Sequence, residues 1–154
     1  MQIAEIDFCS PLDLEAIYAI ECAAFDPPWE KEVIAADLAN LGSVIYLKAT
    51  LCAALVGYCA LSRVNTVAHL LNLVVAEPFR RQGIASQLFL AAEEVAREWA
   101  CSKIRLEVRV SNRVARDFYA RIGFSYNTRL HDYYPNGEDA LVLVASLPLS
   151  IIRK

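Results

Sequence analysis

The sequence predicts an α/β chain of the α+β kind: a mixed, mainly antiparallel sheet of about seven strands with helices on both faces. Three observations predict it. Apolar and polar residues alternate through Ile104-Arg105-Leu106-Glu107-Val108-Arg109-Val110, the period of a strand with one buried face. From Ile84 onward, Leu88, Ala92, Val95 and Trp99 recur at helical spacing, while Glu93, Glu94, Arg97 and Glu98 supply a polar face. Ser10-Pro11, Pro27-Pro28, Ser111-Asn112, Gly123 and Asn136-Gly137 fall where such elements must start or stop. A length of 154 residues with 56% hydrophobic content suits one compact domain spanning residues 1–154, with a substantial core.

In chain order, residues 2–8 alternate as a first strand should. Ser10-Pro11 then gives an N-cap with proline at the first helical position, opening a helix to about Phe25. Pro27-Pro28 breaks it before Trp29, and residues 31–40 carry a second helical pattern in Val33, Ile34, Ala36 and Leu38, so two short helices meet at a proline elbow. Residues 43–49 and 52–62, rich in Val, Ile, Leu and Tyr, read as a hairpin, and residues 67–76 as a third consecutive strand. The helix from Ile84 should pack on the sheet, and the strand over residues 104–110 follows it. Ser111-Asn112 caps a further helix that runs to about Ile122 and stops at Gly123. Residues 124–134 and 139–146 are two closing strands joined across Pro135-Asn136-Gly137, whose Asn-Gly pair tolerates positive φ.

Composition excludes several function classes. A net charge of −3 offers no global field for nucleic acid or an anionic membrane, so any phosphate recognition must be local. Five cysteines (Cys9, Cys22, Cys52, Cys59, Cys101) are odd in number, lack C-x-x-C spacing and accompany only two histidines. That disfavours a disulfide framework and a metal site, and the cysteines read as small buried hydrophobes in a reducing cytosol. The N-terminus carries Glu5 and Asp7 instead of a basic region followed by an apolar core. The apolar stretches at residues 51–61 and 141–152 fall below the roughly 18 residues of a spanning helix and read as buried strands. A soluble, cytoplasmic protein is expected.

Arg80-Arg81-Gln82-Gly83-Ile84-Ala85 is set directly between a strand and a helix start. Such a turn leaves successive N–H groups without intrahelical partners, and with the helix dipole these form a concave anion site suited to a pyrophosphate. Gly83 and Ala85 are small where a ligand must approach the backbone, and Arg80 and Arg81 add positive charge at the rim. The hexapeptide equally fits an ordinary βα connection with two solvated arginines.

Four segments in order remove much of that ambiguity: Leu73-Val74-Val75, the hexapeptide, Leu106-Glu107-Val108-Arg109-Val110-Ser111-Asn112, and Phe118-Tyr119-Ala120-Arg121-Ile122-Gly123-Phe124. Together they resemble the GNAT N-acetyltransferase family. With Tyr133-Tyr134-Pro135-Asn136-Gly137-Glu138-Asp139-Ala140 added, the chain is similar over nearly its whole length to the protein N-terminal acetyltransferases of that family. The resemblance implies the GNAT fold, acetyl-CoA as cosubstrate, and transfer of acetyl to the N-terminal residue of a protein, alanine above all. A small-subunit ribosomal protein is among the implied acceptors.

For the cofactor, the resemblance implies that the backbone of Arg80, Arg81, Gln82, Gly83, Ile84, Ala85 and Ser86 binds the pyrophosphate. The strand carrying Leu73, Val74 and Val75 would splay from the strand carrying Glu107, with pantetheine inserted between them and an N–H near Val75 facing the thioester oxygen. Asn112 would contact the cofactor, a role compatible with its reading as a helix cap. Glu107 would be the general base, acting through water, and Tyr119 the phenol that returns a proton to the CoA sulfur. From the residues alone, Glu107 between Arg105 and Arg109 reads as a surface ion-pair residue, and Tyr119 as an amphipathic core tyrosine.

Many GNAT enzymes carry an acidic base on the strand before the phosphate turn, and here that region reads Ala68-His69-Leu70. His69 is either an auxiliary base or an exposed strand histidine, and His131 and Asp132 lie beside the tyrosine pair. The acceptor site is expected from the elbow at Trp29 and the final hairpin, where Tyr133 and Tyr134 offer flat faces with hydroxyl ends. Glu138 or Asp139 would attract a basic second residue. A tyrosine-rich hairpin that simply packs is the competing reading. Two further functions stay open, a small-molecule amine acetyltransferase and a catalytically idle acyl-CoA-binding scaffold. Intact Glu107 and Tyr119 argue against the scaffold, and the Tyr133–Asp139 segment argues against the small-molecule enzyme.

Overall fold

The computed structural model describes residues 1–40 and 43–149. Seven strands, β1 (Glu5–Phe8), β2 (Ile45–Leu51), β3 (Ala54–Val64), β4 (Val67–Val75), β5 (Lys103–Arg109), β6 (Ser125–Leu130) and β7 (Ala140–Ser146), are flanked by helices α1 (Leu14–Ala24), α2 (Lys31–Ala39), α3 (Ile84–Glu98) and α4 (Arg113–Arg121). The strand order is β1-β2-β3-β4-β5-β7-β6. The β4–β5 ladder is parallel, whereas β1–β2, β2–β3, β5–β7 and β6–β7 are antiparallel, which is the mixed, mainly antiparallel sheet expected. By contact the chain divides into two compact units, one of residues 1–62 with 71–94 and the other of residues 63–70 with Val95 onward. Among the described residues no helix is long and apolar enough to cross a membrane.

In the first unit, the Ser10 side chain accepts from the Leu12 N–H at 3.3 Å while Asp13 Oδ2 accepts from the Ser10 N–H at 2.8 Å. This capping box opens a short 3-10 turn, Pro11–Asp13, before α1 proper. The β2–β3 hairpin turns on Cys52-Ala53, both with positive φ (49° and 66°), so Cys52 sits at an exposed turn rather than at the start of a strand. Cys22 is also exposed: α1 buries Ile17, Ile20 and Glu21, and a residue one step past Glu21 rotates off that stripe. Only Cys9, Cys59 and Cys101 are the buried cysteines expected.

A register shift pairs Ala49 with Gly57 and Thr50 with Leu55, which leaves Val56 as a bulge whose carbonyl accepts from the Ala76 N–H at 2.8 Å. The neighbouring Gly57 tolerates no side chain, because a Cβ there would lie 2.8 Å from the Val74 carbonyl oxygen. A second 3-10 turn, Glu77–Phe79, follows β4, so the 80–85 hexapeptide does not come directly after the strand as expected. Glu93, expected on the polar face of α3, is only 1% exposed, because it lies on the same stripe as Phe89 and Ala96.

Glu21 is 1% exposed as well, and its carboxyl group organises this unit. It accepts from the Tyr58 hydroxyl on β3, from Asn72 Nδ2 on β4 at 2.8 Å, and through its other oxygen from the Trp29 N–H at 2.9 Å. Asn72 Nδ2 also reaches the Tyr58 oxygen at 2.8 Å, and burial followed by the Glu21 hydrogen bond pushes the Tyr58 phenol well above its ordinary pKa. Tyr46 stacks on Tyr58 with ring centroids 5.9 Å apart, and Ile17, Ile34 and Val74 close the apolar core around them.

In the second unit, Ile104, Leu106 and Val108 of β5 are 0%, 1% and 5% exposed, as the alternation predicts. Asn112 Oδ1 caps α4 by accepting from the Ala115 N–H at 3.1 Å, and Gly123 at φ 111° ends it. The final hairpin differs from expectation, since β6 stops at Leu130 and a loop carries the chain to β7. Asp132 adopts φ 53° and gives its N–H to the Asp139 carboxylate at 3.0 Å. The Tyr133 and Tyr134 N–H groups both donate to the Glu138 carbonyl, which curls the segment away from the ladder. Of the apolar stretch 141–152, β7 takes the part to Ser146, and residues 150–152 lie outside the described residues.

Replacing Glu21 with alanine would remove the acceptor that the Tyr58 hydroxyl, Asn72 Nδ2 and the Trp29 N–H share. We expect Glu21→Ala to lower the unfolding free energy by about 3 kcal/mol or more, measured by urea denaturation. A loss within about 0.5 kcal/mol would remove the network from the account of this unit's stability.

Candidate active site

Period two puts Arg105, Glu107 and Arg109 on one face of β5, and the parallel register sets His69 opposite Arg105, so His69 shares that face. The geometry then follows from reach. His69 Nε2 lies 2.8 and 3.0 Å from the two Glu107 carboxylate oxygens, and the Tyr133 hydroxyl donates to Oε1 at 3.3 Å. Arg105 stands off at 3.7 Å. The Glu107 side chain is 9% exposed and His69 23%, so neither is the surface residue that its sequence neighbours imply. An ionised carboxylate only accepts, hence Nε2 is the nitrogen that carries a proton and donates.

Burial by itself pushes the Glu107 carboxyl up, but the hydrogen bond and charge of His69, then Arg105 and Tyr133, outweigh it and hold the group below its ordinary value of 4.5. Tyr133 is pushed the other way, by burial and by the adjacent Glu107 charge.

The structure decides which tyrosine of the pair faces this carboxylate. Tyr133 is 48% exposed and reaches Glu107, whereas Tyr134 lies under Arg109, whose guanidinium sits 4.0 Å from the ring centroid. Burial first, and then Tyr133, raise the Tyr134 phenol to about 12. Arg109 also bonds Glu138 at 3.0 Å and Asn136 at 3.1 Å, while Glu138 accepts from the Ser111 N–H at 2.8 Å. Glu138 and Asp139 were expected to attract a basic ligand residue. Both are spent internally, Asp139 on Arg129 at 2.7 Å and His131 at 3.1 Å, because the loop needs their oxygens to hold its shape. His131 is 79% exposed and pairs with Asp139, and the Asp132 N–H does the same. Tyr119 is 8% exposed and packs edge-on against Phe118 and Phe124, with centroids 5.5 and 5.7 Å away. Asn112 serves as the α4 cap described above. A cavity of about 490 Å³ lined by Lys103, Ser125, Asn127 and Pro148 includes none of Glu107, Tyr119 and Tyr133. No group of three or more His, Cys, Asp or Glu among the described residues could hold a metal ion.

The first unit carries the other candidates. Arg81 and Gly83 have positive φ, 62° and 84°, which bends the Arg80–Gly83 backbone ahead of Ile84, Ala85 and Ser86 in the first turn of α3. Left-handed residues between ordinary ones turn successive N–H groups toward one side, the concave arrangement that holds anions. Arg80 is not simply a rim charge, since its Nε donates to the Val75 carbonyl at 2.8 Å. The Leu73 N–H is taken by Asn72 Oδ1 at 3.0 Å, and Val74 and Val75 are buried. Trp29 is half-buried against the core, its backbone tied to Glu21. Sequence reasoning missed Asn72, Gly57 and Arg109. A glycine inside an apolar strand and a polar residue in a strand read as buried were the available signals for the first two.

Removing His69 would leave burial of the Glu107 carboxyl less opposed. In a ¹³C-carboxyl NMR titration the Glu107 midpoint should lie below 4.5 in the parent chain and rise in His69→Ala. Because the folded value is depressed, Glu107 contributes stability above the unfolded pKa that is lost as pH falls through the folded value, and His69→Ala should flatten that acid loss. An unchanged midpoint would show that His69 does not hold the group down.

Known proteins agree with this architecture. The sequence pattern of the Acetyltransferase (GNAT) family matches residues 14–124. A protein of Bacillus subtilis (strain 168), provisionally named a ribosomal protein bS18-alanine N-acetyltransferase, is 33% identical over 132 residues, covering 85% of this chain and 87% of its own. The ribosomal protein bS18-alanine N-acetyltransferase of Haemophilus ducreyi is 31% identical over 140 residues, 88% of this chain and 94% of its own. The crystal structure of the ribosomal-protein-S18-alanine N-acetyltransferase from Escherichia coli matches with a TM-score of 0.83 at 26% identity, covering 96% of each chain. This chain therefore belongs to the GNAT acetyltransferase family and is an acyl-CoA-dependent N-acetyltransferase whose cosubstrate is acetyl-CoA.

Proposed function

We propose that this N-acetyltransferase acts on protein N-termini, moving acetyl from acetyl-CoA to the α-amine of an N-terminal residue, alanine above all, with a small-subunit ribosomal protein as the favoured acceptor. Residues 1–154 would work as one cytoplasmic N-acetyltransferase domain. The observation that carries the reading is the His69–Glu107–Tyr133 cluster: an ionised, partly sheltered carboxylate with a tyrosine hydroxyl beside it. The acceptor specificity of the bacterial relatives points the same way.

In this mechanism a neutral α-amine attacks the thioester carbonyl, and the oxyanion that forms is held by an N–H near Val75. Glu107 takes the amine proton through a water molecule, with His69 orienting the carboxylate through its Nε2 proton. The C–S bond then breaks, and the thiolate takes a proton from the Tyr119 hydroxyl. A peptide α-amine titrates near 7.7–8.0 and a lysine amine near 10.4, so a carboxylate base suffices for the first and not for the second. With Glu107 held below its ordinary value, the acid limb of kcat/KM would follow the amine and not the base. The turn at Arg80, Arg81, Gln82, Gly83, Ile84, Ala85 and Ser86 would hold the pyrophosphate, Leu73, Val74 and Val75 the pantetheine, and Asn112 and Tyr119 would also contact the cofactor. Trp29, Tyr133 and Tyr134 would grip the peptide.

Glu107→Gln and Tyr119→Phe should each lower turnover by about 10²- to 10⁴-fold while acetyl-CoA affinity is kept, read by steady-state kinetics and calorimetry. Near-normal turnover in either variant would take that residue out of the mechanism. Acceptor choice is tested with three compounds: a peptide beginning Ala-Arg, its N-terminally blocked form carrying a lysine, and a polyamine. The first should be acetylated fastest, and Tyr133→Ala or Tyr134→Ala should raise KM for the peptide more than for acetyl-CoA. Faster acetylation of the polyamine would make the protein a small-molecule amine acetyltransferase.

A further inference from the structure

Gln87 stands one turn into α3 and is tied to the first residues of the chain. Its Oε1 accepts from the Ala4 N–H at 2.8 Å, and its Nε2 donates to the Gln2 carbonyl at 2.6 Å, so the side-chain amide substitutes for a rung of backbone pairing. The same Nε2 lies 3.2 Å from the Gly83 carbonyl, which also accepts from the Gln87 backbone N–H at 3.2 Å. The Gln2 N–H completes the circuit by donating to the Gln82 carbonyl at 3.0 Å. Met1 closes over the same turn, since a Cβ on Gly83 would lie 3.2 Å from its side chain.

The Gln82 carbonyl is therefore held from outside the turn by residue 2, and the Gly83 carbonyl from within α3 by the backbone and side chain of Gln87. In a planar trans peptide the C=O and the following N–H point in opposite directions. Fixing the Gln82 carbonyl orients the Gly83 N–H, and fixing the Gly83 carbonyl orients the Ile84 N–H. These are the amides that a concave anion site must aim before its ligand arrives, and a flexible turn would lose binding energy in ordering them.

We infer that Gln87 and residues 2–4 form a brace that pre-orients the Gly83 and Ile84 amides for the pyrophosphate of acetyl-CoA, making Gln87 a positioning residue for cofactor recognition. This rests on the turn being the pyrophosphate site, as proposed above. The brace acts only on the part of the cofactor that carries the pyrophosphate.

The test uses donors and fragments that differ in that part, with the full chain. Gln87→Ala keeps a helix-favouring residue, and its thermal unfolding confirms the fold. Calorimetry should show affinity for coenzyme A and for 3′-phosphoadenosine 5′-diphosphate each falling about tenfold, the scale of a weakened hydrogen bond to a charged group. Gln87→Glu, which keeps the acceptor for Ala4 but loses both donations, should fall as far. The kcat/KM for S-acetylpantetheine, which lacks the pyrophosphate, should stay within about twofold. Gly83→Val is the control for the site itself and should weaken coenzyme A binding. If Gly83→Val weakens coenzyme A and Gln87→Ala does not, the brace is overturned while the site stands. If Gly83→Val binds coenzyme A normally, the site is overturned and the brace with it. Equal losses for acetyl-CoA and S-acetylpantetheine in Gln87→Ala would reduce Gln87 to a general structural residue and overturn the inference.

Discussion

The carboxyl group of Glu21 has no access to water, so every hydrogen bond it needs must come from the protein, and satisfying it fixes three separate pieces of the first unit. Tyr58 must stand on β3 where its hydroxyl reaches one oxygen, Asn72 on β4 where its amide reaches the same oxygen, and the elbow after α1 must present the Trp29 N–H to the other. Hydrophobic packing of Ile17, Ile34 and Val74 supplies the bulk of the driving force here, but it is non-directional and tolerates sliding. Hydrogen bonds with one donor each do not. The register of β4 against α1, and with it the position of Leu73, whose N–H rests on Asn72 Oδ1, follows from this one group.

The close approach at Gly57 acts in the same direction. A side chain there would collide with the Val74 carbonyl, so the glycine lets the bulged strand and β4 run nearly in contact just where β4 carries candidate cofactor-binding backbone. Arg80 then returns to the Val75 carbonyl and ties the end of β4 to the start of the turn at residues 80–83. Local chemistry, a 3-10 turn and two left-handed residues, shapes a turn whose ends are fixed by long-range contacts.

Glu107 in the second unit is the counterpart of Glu21 in chemistry and somewhat more accessible. Burial opposes its charge, and three polar neighbours, His69 first and then Arg105 and Tyr133, restore it. A carboxylate balanced in this way is ionised yet partly dry. Arg109 matters because it holds the loop that delivers Tyr133: it stacks on Tyr134, bonds Asn136 and Glu138, and so converts a mobile-looking Pro-Asn-Gly segment into a fixed support.

The amino-acid sequence by itself determined the order and kind of nearly every element, because helix caps at Ser10 and Asn112, the proline elbow, the alternation in β5 and the stop at Gly123 are local signals read over a few residues. It also marked the family pattern and the residues Glu107, Tyr119 and Tyr133 as candidates. Tertiary structure alone decided which side chains are paired. His69 and Glu107 lie far apart in sequence and meet because a parallel ladder sets His69 beside Arg105, a register that no local period encodes. For the same reason Glu93 and Glu21, polar residues on helices, are sealed inside while Cys22 is outside: periodicity gives the spacing of a face, and only the packed partner says how wide that face is. Glu138 and Asp139 looked like a lure for a basic ligand, but their oxygens are consumed by Arg109, Arg129 and loop amides, since competition for charge is settled by three-dimensional reach and not by order along the chain.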